Sequence, residues 1–267
     1  MGLVLKKRKL GKTDLDFSIL GLGTVKFGRN TDVKYPHSFD IPSDNEILKL
    51  LQKAHCIGIN YLDTAPAYGN SEKKIGKLLK KLKKKFYIVS KVGENYDPLS
   101  GSHFNFKLNE MRASIEKSII NMQLNYLDVA LLHLGDDEIN QIKSGAIENL
   151  KKIKQEGLVN YIGISGKSLK AGKLALEIGI DVLMISYNPQ YTDEYPLIEE
   201  ANKKSTGIII KKAFNSGYLI KNSNDISNTL SKVFSNQNIS SVVIGTKNIK
   251  HLEQNFRSIE NKYLERK

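Results

Sequence analysis

Eight short apolar runs alternate with eight amphipathic stretches along this chain, and that alternation restricts the fold more than any other feature. The runs are ILGLGT at 19–24, INYLD at 59–63, FYIVSK at 86–91, YLDVALLH at 126–133, VNYIGIS at 159–165, DVLMIS at 181–186, GIIIKKA at 207–213 and SSVVIG at 240–245. Between them, apolar residues recurring at a period near 3.6 predict helices over 43–58, 71–84, 107–122, 140–156, 168–178, 195–205, 225–235 and 248–262. Ser43, Ser71 and Ser168 stand where helix N-caps belong, and Gly58, Gly157 and Gly179 where helices stop. Continuous apolar strands belong to a parallel sheet covered on both faces, and eight β-then-α units close most naturally as a (β/α)8 TIM barrel, an α/β fold. The segment LVLKKRKLGKTDLDFS ahead of the first unit predicts an N-terminal β-hairpin. No linker or composition shift divides the chain, so 1–267 is expected as a single barrel domain.

Charge and composition narrow the function. Lys plus Arg number 41 against 28 Asp plus Glu, a formal net charge of +13. A nucleic acid or a membrane surface could draw on that excess. However, Lys77, Lys80, Lys81, Lys83, Lys84 and Lys85 surround Leu78, Leu79 and Leu82 as the solvated face of a core-packed helix, so neither partner is expected. The excess does suit an anionic cofactor. No apolar run approaches the ~18 residues needed to span a bilayer, and the first residues lack the apolar core of a secretory signal. The single cysteine, Cys56, sits in QKAHCIGIN and reads as a buried thiol in a reducing compartment. A cytoplasmic monomer is the expectation.

In barrels of this kind the chemistry lies at the C-terminal ends of the strands. Strand two ends in Asp63, strand three in Lys91, strand four in His133, strand five in Ser165 and strand seven in Lys211 and Lys212. Tyr68 follows Asp63 by five residues, on the loop leaving the same strand. A phenol is a poor acid at neutral pH, with an ordinary pKa of about 10. A nearby ammonium stabilises phenolate and lowers that value, and a carboxylate beside the ammonium holds it charged. Asp63, Tyr68 and Lys91 therefore form a candidate proton donor and acceptor. His133 can add a hydrogen bond that orients a carbonyl and stabilises charge developing on it. A Schiff-base role for Lys91 is the weaker alternative, because an ammonium beside Asp63 is a poor nucleophile.

The motifs LGLGT, INYLDTAPAYGNSEKKIG, YIVSKVG, LLH, YIGIS and VVIGTKNIKHLEQN resemble, in order and from about residue 8 to 262, those of the aldo-keto reductase family. The resemblance implies reversible hydride transfer between a nicotinamide cofactor and a small-molecule carbonyl or alcohol, with no metal. Tyr68 would be the general acid in reduction and the general base in oxidation, tuned by Lys91 and Asp63, with His133 orienting the carbonyl. Gly23, Thr24 and Asp63 match positions beneath the nicotinamide ribose. Ser165, Lys211 and Lys212 stand at cofactor-facing strand ends. Gly245, Thr246, Lys247, His251, Gln254 and Asn255 match the adenosine end, where a helix N-terminus favours phosphate. Lys247 is placed to meet a 2′-phosphate, which favours NADP(H), with NAD(H) as the alternative.

Four positions depart from the family pattern. Gly166 replaces the usual Asn after Ser165, and Met184 replaces the usual Gln on strand six. Lys211 replaces a stacking aromatic, and His251 replaces an Arg. These departures motivate an alternative of another class, a non-catalytic nicotinamide-nucleotide-binding regulatory protein. The chain stops about where the last barrel helix ends, so the substrate wall is expected from segments 25–42, 92–106 and 134–138. Tyr35, His37, Phe39, Tyr96, His103 and Phe104 are the side chains on offer there. A wide polar pocket would suit sugars, among many aldehydes and ketones.

Overall fold

The structure, a computed structural model, describes residues 2–266. Its centre is a closed barrel of eight parallel strands: Leu20–Gly23, Tyr61–Asp63, Tyr87–Val92, Leu127–His133, Val159–Ser165, Val182–Ser186, Gly207–Lys211 and Ser241–Gly245. They pair in sequence order, and the last pairs with the first through Gly245 and Gly23, which closes the ring. Every apolar run read from the sequence is one of these strands. The aliphatic runs succeed as strands because each has one face in the barrel interior and the other under the helices.

Two apolar clusters follow from that geometry. The larger fills the layer between barrel and helices, with Ile47, Leu51 and Ala54 from helix Asp44–Cys56 and Ile75 and Leu78 from helix Ser71–Leu82 among its members. The smaller fills the barrel itself. Tyr61, Val89, Val129, Leu131, Val182, Met184 and Ile209 converge there with Leu10, Leu15 and Phe17 from the N-terminal hairpin. Phe17 stacks on Tyr61 with ring centroids 4.1 Å apart, so the hairpin Lys7–Lys9/Asp16–Ser18 plugs the end of the barrel opposite the C-terminal strand ends. A Cβ at Gly21 would overlap the Tyr61 ring, which explains a residue without a side chain on the first strand.

Several details differ from the sequence reading. The hairpin is shorter than expected, because Leu3–Leu5 pairs instead with Leu264–Arg266 and ties the two ends of the chain together. The final helix stops at Arg257, ahead of a short turn at Asn261–Tyr263. The helix over 140–156 is broken at Gly145, whose φ of 88° leaves the helical region, into Glu138–Gln141 and Ile147–Gln155 joined by a wide turn. Ser43 and Ser168 cap helices as expected, but Ser71 lies inside its helix and spends its hydroxyl on Thr24 Oγ1 and O. Cys56 is exposed rather than buried. It follows the buried Ala54 by two residues, roughly 200° around the helix, which turns it outward.

Segment 92–106, read as a loop, contains a second antiparallel hairpin, Glu94–Asp97 with Gly101–Phe104. Its Tyr96 hydroxyl donates to Asp32 Oδ2 at 2.7 Å, and the Arg29 guanidinium lies 3.3 Å from the Tyr96 ring centroid. These contacts clasp the hairpin to segment 29–42 above the barrel mouth. Lys77, Lys80, Lys81 and Lys83 to Lys85 are exposed, as a solvated helix face requires. Among the described residues no helix is long and apolar enough to cross a membrane.

Candidate active site

Strand alternation builds the site. Asp63, Lys91, His133, Met184 and Lys211 each follow by two residues, or one pleat, an interior residue of the smaller cluster: Tyr61, Val89, Leu131, Val182 and Ile209. Cross-strand register keeps these ends level. Ser165 pairs with both His133 and Met184, and Gly23 pairs with both Asp63 and Gly245. The polar tier therefore rests directly on an apolar plug. All of these residues line one cavity of about 1050 Å³ at the C-terminal mouth of the barrel.

On the cavity floor Lys91 Nζ donates to Asp63 Oδ1 at 2.7 Å and to the Thr64 carbonyl at 2.9 Å. The two side chains are only 2% and 7% exposed, so the pair is held in a low-dielectric environment. Burial opposes the Lys91 charge, but Asp63 and the Tyr68 phenol outweigh it and push the ammonium pKa up. Tyr68 ends a short turn, Pro66–Tyr68, that folds its ring back over the mouth, with Lys91 Nζ 4.7 Å from the ring centroid. Burial raises the Tyr68 pKa above its ordinary value despite the opposing pull of Lys91. The expected lowering is thus reversed: desolvation of the phenolate exceeds the ammonium's attraction, part of which Asp63 cancels. The phenol stays protonated in the free protein.

His133 meets Tyr68 edge-on, with ring centroids 6.2 Å apart. Its Nδ1 lies 2.5 Å from Glu94 Oε2 on the second hairpin. Burial pulls the imidazole pKa below its usual value, with Lys91 and Lys211 adding to that effect and Glu94 opposing it.

The residues assigned from the sequence to a nicotinamide cofactor line one cavity, with one exception. Gly23, Thr24, Ser165, Lys211, Lys212, Gly245, Thr246, His251, Gln254 and Asn255 all line the cavity. Lys247 stands apart, donating from Nζ to the Asp40 carbonyl at 2.9 Å, and so holds segment 29–42 against the start of the last helix. Lys26, Arg29, Lys34, Lys167 and Lys212 line the cavity together with the buried Lys211, a set of cations that fits an anionic dinucleotide. Tyr35, Phe39 and Phe104 also line it, as does His37, whereas His103 bonds Ser100 Oγ outside it. Among the described residues no group of three His, Cys, Asp or Glu side chains converges to hold a metal ion.

The departures at Gly166 and Lys211 prove to be one feature. Lys211 Nζ donates to Ser165 Oγ at 2.9 Å and to the Gly166 carbonyl at 2.7 Å. A Cβ at Gly166 would come within 3.1 Å of Glu138 Oε1, so a side chain there would press on that carboxylate. Burial lowers the Lys211 pKa to about 8, partly offset by the nearby Glu194. Met184, in register with Ser165 on the neighbouring strand, is buried.

Sequence reasoning missed Glu94, Glu138 and Glu194. Glu138 is a buried acid bonded by Ser168 from the next βα unit, and Glu194 is a buried acid facing Lys211 on the next barrel strand; nothing local in the sequence marks either. Glu94 carried a usable signal, since it follows Lys91 by three residues at a strand exit.

The comparisons with known proteins agree with this geometry. The pattern of the Aldo/keto reductase family matches residues 19–239. L-galactose dehydrogenase from Arabidopsis thaliana is 35% identical over 172 residues, which cover 62% of this chain and 50% of that protein. The chain thus spans about half the length of that relative. D-threo-aldose 1-dehydrogenase from a Pseudomonas species is 31% identical over 232 residues, 75% of this chain and 67% of that protein. Among solved structures, PA4992 from Pseudomonas aeruginosa superposes with a TM-score of 0.83 at 37% identity, covering 94% of this chain and 93% of that one. An eight-stranded barrel with these strand-end residues and these relatives makes the chain a member of the aldo-keto reductase family of oxidoreductases.

Proposed function

We propose that the protein interconverts aldehydes or ketones, aldoses among them, and the corresponding alcohols, with NADP(H) as its hydride carrier. The observation that carries this reading is the buried Asp63–Lys91 pair beneath Tyr68, with His133 at its side, on the floor of a cation-ringed cavity. The bound nicotinamide supplies or removes the hydride. The chain's own residues do the rest.

Tyr68, held as the neutral phenol by burial, gives its proton to the substrate oxygen as negative charge develops there. The phenolate left behind faces the Lys91 ammonium, which Asp63 keeps charged and fixed. In the reverse direction the same phenolate takes the proton from the alcohol. His133 orients the substrate beside Tyr68. Asp63, Thr24 and Gly23 would flank the ribose, while Lys212, Thr246 and the N-terminus of helix Ile249–Arg257 would meet phosphate. In place of an amide pair, Ser165 with Lys211 would hold the carboxamide end. The surplus of cations, with Lys247 outside the cavity but 5.7 Å from the ring of its lining residue Phe39, supports NADP(H) over NAD(H). The relatives named for aldose and galactose oxidation support polyhydroxy substrates.

Titration with NADPH and with NADH, followed by nicotinamide fluorescence at moderate and high salt, tests the reading. Tight, salt-sensitive NADPH binding with weaker NADH binding, then turnover of an aldose panel, is the expected result. Failure of both nucleotides to bind below about millimolar concentration would remove the cofactor, and the proposal with it.

A further inference from the structure

Lys91 and Lys211 both line the cavity from strand ends, and their surroundings differ. Lys91 Nζ is bonded to Asp63 Oδ1 and to the Thr64 carbonyl, with the Tyr68 ring 4.7 Å away. A carboxylate at 2.7 Å, in a site closed to water, holds Lys91 as an ammonium, which has no lone pair to offer a carbonyl carbon. Lys211 Nζ instead bonds two neutral acceptors, Ser165 Oγ at 2.9 Å and the Gly166 carbonyl at 2.7 Å. Among the described residues no ion pair joins it to a carboxylate, as one joins Lys91 to Asp63, Lys154 to Asp181 and Lys167 to Asp136.

Two neutral acceptors suit an amine as well as an ammonium. The neutral amine keeps one N–H for each of them, and its lone pair takes the third position on the nitrogen, where no protein group bonds. Loss of the proton therefore breaks no hydrogen bond and removes a charge from a desolvated site. The charged and titratable groups facing Lys211 are Glu138, which opens helix Glu138–Gln141, Glu194 just ahead of helix Pro196–Lys203, Lys91 on the third barrel strand, His133 on the fourth and the adjacent Lys212. The two carboxylates favour the ammonium, whereas burial first, then Lys212 and Lys91, oppose it, and the pKa settles at about 8.

We propose that Lys211 is a covalent capture site for small aldehydes. Its Nζ lone pair adds to the carbonyl carbon, and one amine proton passes to the carbonyl oxygen. The C–O bond of the resulting carbinolamine then breaks, and the oxygen leaves as water with the second amine proton. An imine remains, nothing is oxidised or reduced, and hydrolysis reverses the step. The Schiff-base chemistry denied to Lys91 by Asp63 thus falls to the lysine without a carboxylate partner. When nucleotide is scarce, the imine stands where Ser165 and Lys211 would hold the carboxamide, so excess aldehyde closes the site reversibly. That consequence rests on the proposed function, while the capture itself does not.

The test exposes the wild-type protein, free of nucleotide, briefly to glyceraldehyde, quenches with borohydride and maps the reduced adduct by peptide mass spectrometry. At neutral pH Lys211 is expected to label about tenfold or more faster than the exposed Lys84 and Lys85, and Lys91 to stay unlabelled. Labelling of Lys211 should rise with pH and level off above about 8, as the free amine saturates. An ordinary lysine amine goes on gaining to about pH 10. An adduct on Lys91, Lys211 labelled no faster than Lys84, or a Lys211 profile still climbing near pH 10 would each overturn the proposal. The map is read in the wild-type chain, so no variant has to fold. NADPH added first should slow the labelling. Labelling that NADPH binds without slowing would contradict the placement of the nicotinamide beside Lys211 and leave the capture standing.

Discussion

Lys91 Nζ lies 2.7 Å from Asp63 Oδ1 in a pocket that leaves both side chains almost wholly out of water. Such a pair is costly to break from one side, because the remaining charge stays buried without a partner. Lys91→Met is expected to cost about 3–5 kcal/mol of stability and to reduce turnover by about 10²-fold or more. Asp63→Asn, which keeps the shape and leaves Lys91 its bond to the Thr64 carbonyl, destabilises less. Denaturant unfolding beside steady-state rates checks both, and equal stability of Lys91→Met and wild type would contradict the pairing.

The depressed Glu94 carboxyl makes a pH prediction. Its pKa in the folded protein is about 2 against an ordinary 4.5, so the folded state binds this proton less readily than the unfolded chain. The associated stability is present in full above about pH 4.5 and is lost as pH falls toward 2. Its size is on the order of 2 kcal/mol after allowance for partial solvent contact. Unfolding of wild type and Glu94→Gln followed across that window should show the difference between them shrinking with acid. A constant difference would mean that Glu94 is not held as an anion by His133 and Ser102.

Lys247 anchors segment 29–42 through the Asp40 carbonyl and stands beside the start of the last helix. Lys247→Met is expected to weaken NADPH binding by about tenfold while changing NADH binding little, and to flatten the salt dependence of the former. Fluorescence titration at two salt concentrations reads both. An equal loss for the two nucleotides would assign Lys247 to the loop rather than to a 2′-phosphate.

Phe17 plugs the barrel against Tyr61 and is wholly buried. Phe17→Ala should cost about 3–5 kcal/mol. Turnover of the remaining folded protein should be nearly unchanged, because the polar tier stands at the opposite end of the barrel. Thermal unfolding with activity measured well below the midpoint separates the two effects.

The barrel was legible because parallel strands buried on both faces read as unbroken aliphatic runs, and VALLH, YIGIS and DVLMIS have no competing helical period. Asp63, Lys91 and His133 were legible as polar ends to such runs, and Tyr68 as the residue a short loop could return to them. Long-range pairing is what local pattern cannot carry. Leu3–Leu5 finds its partner at Leu264–Arg266, and the hairpin holding Glu94 is stabilised by Arg29 and Asp32 from a different βα unit. The Tyr68 phenol went the other way from expectation for a related reason. Proximity of Lys91 could be read from strand ends, but the degree of burial that outweighs it is a property of the assembled mouth.

In the proposed reaction the Tyr68 proton drives the chemistry while other residues build the cofactor site. Tyr68→Phe, assayed for NADPH binding by fluorescence and for aldose or aldehyde turnover in the same preparation, addresses it directly. Turnover is expected to fall by about 10²–10⁴-fold with NADPH affinity within about twofold of wild type. Turnover at an undiminished rate in a variant that still binds NADPH would contradict the account.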